Sequence, residues 1–62
     1  MTVDPEDVIT IGNRLLDHHA GTFSDEFDQN QKAVRDLTDV QSIHLRNRIA
    51  GYITRQQQQS SA

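Results

Sequence analysis

Cysteine and tryptophan are absent from the 62-residue sequence, and proline occurs once. Without cysteine there is no disulfide framework and no thiolate zinc site, so the fold has to rest on helix packing or on a partner. No apolar run approaches the roughly 20 residues that cross a bilayer. The opening Met1-Thr2-Val3-Asp4-Pro5-Glu6-Asp7 has the pattern of neither a signal peptide nor a transit peptide. The expectation is a soluble protein of a reducing compartment, the cytoplasm, with no membrane partner. Aromatic residues are scarce as well: Phe23, Phe27 and Tyr52 are all there are. A chain this short makes one domain at most and buries only about 60% of the surface that its unfolded form exposes, so its core must be thin.

The same scarcity tells against catalysis. The sequence has no cysteine nucleophile, no phosphate-cradling glycine loop, and no Ser, His and Asp grouping that so small a core could hold rigidly. The neighbours His18 and His19 point about 100° apart on a helix and cannot chelate one ion together. No catalytic residue, metal, cofactor or small-molecule substrate is expected.

Acidic residues are missing from one part of the chain only. All nine precede residue 42, against Arg14, Lys32 and Arg35 in the same stretch, which leaves that part at a net of -6. From Ser42 onward there is no acid, and Arg46, Arg48 and Arg55 give +3. Such segregation points to an anionic partner for the C-terminal part, whatever the total charge of -3 suggests. Five arginines to one lysine, with abundant aspartate, also suit a cytoplasm rich in salt. At about 1 M salt the Debye length falls to roughly 3 Å, and a negative net charge then repels nucleic acid only weakly.

What is present reads as three helices. Asp4 is a suitable N-cap, Pro5 suits the first helical position, and Glu6 and Asp7 favour the positive end of the helix dipole. Val8, Ile11, Leu15 and Leu16 then recur on one face, with Gly12 and His19 in the same stripe at about 100° per residue. Gly12 costs helix propensity there, so its expected use is to let another helix come close. Gly21 is expected to stop this first helix. The connection from Thr22 to Asp28 carries Phe23 and Phe27, both expected to plug the open end of the core. A second helix, roughly Asp28 to Thr38, is indicated by Asn30, Ala33, Val34 and Leu37. Ser42 is the natural N-cap of a third helix in which Leu45, Ile49, Tyr52 and Ile53 face inward, Tyr52 with its hydroxyl at the rim. Gln56 to Ala62 is a polar, low-complexity run with nothing to bury, read as a fraying helix end and a flexible tail. The expected class is all-α: a small three-helix bundle over residues 1–55, its core made by Val8, Leu15, Leu16, Val34, Leu37, Leu45, Ile49 and Ile53, followed by a tail over 56–62.

The third helix also carries chemistry. His44, Arg48, Gly51 and Arg55 fall on one line, at i, i+4, i+7 and i+11, with Arg46 and Asn47 projecting from other sides. Gly51 has no side chain, so a phosphate backbone can approach the helix there while Arg48 and Arg55 reach around it. Asn47 offers hydrogen bonds to a base edge or a ribose. The competing reading is that Gly51 admits a neighbouring helix and Arg46 pairs with acids of the second helix, for about 0 to 1 kcal/mol if exposed.

The run Ser42-Ile43-His44-Leu45-Arg46-Asn47-Arg48-Ile49-Ala50-Gly51-Tyr52-Ile53-Thr54-Arg55 closely resembles the archaeal and eukaryotic small-subunit ribosomal protein family numbered seventeen, e-type. Upstream, Phe27-Asp28-Gln29-Asn30 is similar to that family's Asp-Phe-x-x-Asn segment, and the twelve-residue offset from Asn30 to Ser42 agrees with its spacing. The resemblance covers roughly Leu15 to Arg55. It implies a three-helix domain bound to small-subunit ribosomal RNA among neighbouring ribosomal proteins, supporting translation without enzymatic activity. Departures are concentrated in the cations. The family's basic opening segment is acidic here, lysines common in the family are replaced by Gln31 and Ile43, and His44 stands where many members carry another basic residue. Adaptation to high salt produces such a pattern. So does a divergent copy acting outside the ribosome, as a helix-turn-helix-like nucleic-acid-binding or protein-interaction module.

Overall fold

Each of the three segments with apolar residues at helical spacing is a helix in the computed structural model, which describes residues 5–60, with side chains from 7 to 59. The helices are α1 (Pro5–His18), α2 (Phe27–Leu37) and α3 (Ile43–Ser60), and no strand occurs among the described residues. The class is all-α. Asp4, the expected cap of α1, lies outside the described residues. None of the helices is long and apolar enough to cross a membrane.

The helix ends follow from local hydrogen bonding. α1 stops at His18, three residues before Gly21, in a turn in which the Thr22 N–H donates to the His19 carbonyl at 2.9 Å. No glycine has a positive φ, so Gly21 does not supply the left-handed stop expected of it: a turn of this kind needs no left-handed residue. α2 starts one residue early, at Phe27, and is closed by Thr38, whose N–H and hydroxyl both donate to the Val34 carbonyl, at 3.1 and 2.7 Å. Ser42 caps α3 as expected, its Oγ accepting the Leu45 N–H at 3.3 Å. α3 continues beyond Arg55, taking Gln56 to Gln59 into its last turn.

α3 is the central element: α1 and α2 both pack on it and meet each other far less. The core consists of Val8 and Leu15 from α1, Phe23 from the first connection, Val34 from α2, and Ile49, Ala50 and Ile53 from α3. Leu16 and Leu45 are half-buried at its edge. Two expected core residues are outside. Leu37 is 38% exposed, because it ends α2 where no helix covers it, on a groove of about 340 Å³ that it lines with Ile11, Arg14, Leu15, His18, His19, Thr38 and Val40. Phe27 is 39% exposed, because as the first residue of α2 it stands on the flank of the bundle, and Phe23 alone fills the core from the connection.

Gly12 shows why α1 lies so close to α3. A Cβ built at Gly12 meets the Tyr52 ring, 2.8 Å from its Cε2. The ring therefore lies directly on the α1 backbone, and its hydroxyl donates to Asn13 Oδ1 at 2.6 Å. This is the half-buried, rim-bonded tyrosine that the sequence led one to expect.

A buried polar link joins α2 to α3. Asn30 is fully buried on α2, and its Oδ1 accepts the Ser24 N–H at 2.9 Å. Its Nδ2 donates to the Ser24 carbonyl and to Thr54 Oγ1 on α3, both at 2.7 Å. The Thr54 hydroxyl donates in turn to the Ala50 carbonyl at 2.7 Å. One carboxamide thus ties the α1–α2 connection, α2 and α3 together.

Four outcomes test this arrangement by thermal or denaturant melting. Ile49→Ala, which truncates a fully buried side chain, should cost about 2 to 5 kcal/mol, a large fraction of the roughly 5 kcal/mol typical of so small a domain. Thr54→Val should cost about 1 to 3 kcal/mol by depriving the buried Asn30 amide of a partner. A double-mutant cycle with Asn30→Ala should then show coupling of about 0.5 to 3 kcal/mol, and additivity would mean that the link is not formed. Gly12→Ala should lower the melting temperature although alanine is the better helix former, because its methyl group displaces the Tyr52 ring; an unchanged or higher value would contradict the close approach.

Candidate nucleic-acid interface

α3 contains three arginines, one histidine and no acid. α1 and α2 cover its inner side, where Ile49, Ala50, Ile53 and Thr54 are buried, and the opposite side carries His44, Arg48, Gly51 and Arg55. His44, Arg48 and Arg55 are exposed, and Gly51 is half-exposed between the two arginines. Arg48 and Arg55 are seven residues apart, about 10.5 Å along the axis. The ion pair found among the described residues is Arg35 with Asp36, at 3.6 Å and exposed; no carboxylate of the described residues is paired with Arg48 or Arg55. Their guanidinium groups carry undischarged hydrogen-bonding capacity into solvent.

The two remaining expected site residues sit differently. Asn47 is half-buried at the α2 side of this face, where its Oδ1 accepts the Gln31 Nε2–H at 2.6 Å and links α2 to α3. Arg46, two residues after His44, comes about 200° round the helix and is half-buried on the inner side. Its Nε is buried without a hydrogen-bond partner among the described residues, and the pairing with acids of α2, the competing reading, is not made. His18 and His19 both line the groove beside Leu37 rather than this face.

The two glycines of the helical faces are not equivalent. At Gly12 a side chain is excluded by Tyr52, whereas a Cβ built at Gly51 meets nothing nearer than the Phe27 ring edge at 3.9 Å, an ordinary van der Waals distance. The bundle does not need a glycine at position 51. Phe27 itself was not expected here. Its only signal in the sequence is its place at the start of α2, which does not say toward which helix the ring turns.

Residues 4–61 match the family described as Ribosomal S17. The small ribosomal subunit protein eS17 of Methanospirillum hungatei JF-1 is 47% identical over 55 residues, which are 89% of this chain and 86% of that protein. Its counterpart in Pyrobaculum neutrophilum is 45% identical over 53 residues, 86% and 75% of the two chains. The eS17 of Halorubrum lacusprofundi is 38% identical over 61 residues, 98% of this chain and 95% of that one. With a family match along almost its entire length and archaeal relatives of 38 to 47% identity that cover 86 to 98% of it, the chain belongs to this family of small-subunit ribosomal proteins, which are not enzymes.

Proposed function

We propose that the chain is a structural component of the cytoplasmic small ribosomal subunit that binds ribosomal RNA through the outward face of α3, among neighbouring ribosomal proteins, and so supports translation. One observation carries the reading: two exposed arginines without acidic partners among the described residues flank a glycine that the bundle itself does not require. Phosphate oxygens are the ligands that such an arrangement suits, because guanidinium groups bind them with paired, charge-assisted hydrogen bonds. A bare helix surface between them lets a sugar–phosphate backbone come within contact distance. His44 extends the face by one turn. Asn47 borders it, and its bond to Gln31 positions the helix surface more than it offers a free base contact. Arg46 is half-buried on the inner side and stands apart from this face.

Replacing Arg48 and Arg55 together with glutamine should leave the circular dichroism spectrum and melting of the protein unchanged while weakening its incorporation into small subunits. Undiminished incorporation would place the RNA contacts elsewhere. Gly51→Ala separates this reading from helix packing. The free protein should be stabilised by up to about 1 kcal/mol through helix propensity, since the new methyl group meets only Phe27 at ordinary distance. The same variant should bind RNA less well. A destabilised protein whose folded fraction binds normally would make Gly51 a packing residue.

A further inference from the structure

The exposed ring of Phe27 lies against the turn of α3 that Gly51 leaves bare, between the levels of Arg48 and Arg55. We propose that Phe27 is a stacking platform for an unpaired nucleobase whose flanking phosphates are held by Arg48 and Arg55. This inference rests on the assignment of the α3 face to RNA and adds a second kind of interaction to it.

Four observations converge. Phe27 is one of three aromatic residues; Phe23 is buried in the core and Tyr52 covers Gly12, so Phe27 is the one whose ring remains open to a partner. The core is filled from this region by Phe23, in the connection before α2, and does not include Phe27. Its edge is 3.9 Å from the Cβ position of Gly51, which puts it on the border of the cationic face rather than at another side of the bundle. Its own helix is anchored one turn later by the fully buried Asn30, so the ring is presented from a backbone that the polar link holds in place. A base has an apolar face and a nearby anion, and an exposed aromatic ring at the border of a face whose two arginines have no acidic partner among the described residues matches both. Double-stranded RNA hides its base faces, so the proposal selects an unpaired nucleotide in a loop, bulge or junction. A protein partner would find an apolar ring but would have to bring its own acids to both arginines.

The test compares binding to small-subunit ribosomal RNA transcribed in vitro, across a salt series, for wild type, Phe27→Leu, Phe27→Trp and the Arg48→Gln/Arg55→Gln protein. Leucine preserves an apolar side chain beside Gly51 but has no π face. It should weaken binding about 5- to 150-fold, the range that follows from removing one base–aromatic stack, without changing the salt slope. The double arginine variant should instead flatten the slope of log affinity against log salt by about 0.7 to 0.9 for each phosphate that it no longer neutralises. Because the natural chain has no tryptophan, Phe27→Trp provides a single indole fluorophore, which should retain wild-type affinity and be quenched on binding RNA. Should Phe27→Leu bind as wild type while the arginine variant binds more weakly, the platform is refuted and the RNA face stands. If the arginine variant also binds as wild type with an unchanged slope, the assignment of the face is itself refuted. A Phe27→Trp protein that binds RNA tightly and stays unquenched also overturns the stack. Circular dichroism and melting of each variant separate weaker binding from unfolding.

Discussion

The carboxamide of Asn30 holds together parts of the chain that apolar packing alone would leave loosely defined. Its acceptor oxygen and its amide protons are all directed, two of these bonds to the Ser24 backbone and one to the Thr54 hydroxyl, which itself bonds to the Ala50 carbonyl. A buried polar group of this kind adds little net stability when satisfied and costs much when it is not, so it selects one arrangement out of several that bury similar apolar area. Here it sets the register of α2 against α3 and ties the α1–α2 connection to both. Phe23, one residue before Ser24, is thereby delivered into the core.

Everything on the outward face of α3 is positioned by that constraint at second hand. A helix covered on one side leaves the other free, and which residues stand on the free side depends on its rotation against its neighbours. Thr54 and Ala50, turned inward by the polar link, leave Arg48, Gly51 and Arg55 turned outward. The Asn47–Gln31 bond closes the same α2–α3 seam nearer the N-terminus of α3. The Tyr52 ring, seated on Gly12 and bonded to Asn13, fixes the opposite seam. A net charge of -3 is compatible with RNA binding because the acids are confined to the residues before 42, while α3 carries cations alone.

Much of this is legible in the chain alone. The helical spacing of Val8, Leu15, Val34, Ile49 and Ile53 marks the helices and most of the core, since a face that is apolar at that period has to be the buried one. Ser42 announces the start of α3 through its cap chemistry. The line of His44, Arg48, Gly51 and Arg55 is visible as a stripe because it is a property of one helix alone. Gly21 misleads, because a glycine near a helix end is a common stop signal and the chain here turns earlier by an i to i+3 bond instead. Leu37 and Phe27 mislead for a different reason. Each sits at a helix terminus, where periodicity no longer says whether a neighbouring element reaches far enough to cover it.

The sequence by itself determined the class, the three helices, the segregation of charge and the membership of a ribosomal family, because each of these depends on local spacing or on residue identity. Tertiary structure alone decided what the residues do for one another. Gly12 is compulsory and Gly51 is not, although both are glycines within helices, because one faces the Tyr52 ring and the other faces open space beside Phe27. Arg46 turns inward and Arg48 outward, two residues apart in the same basic run, because α1 and α2 cover one side of α3 and not the other. Such differences arise from packing between elements, and spacing along a single helix carries no information about where the next helix will lie.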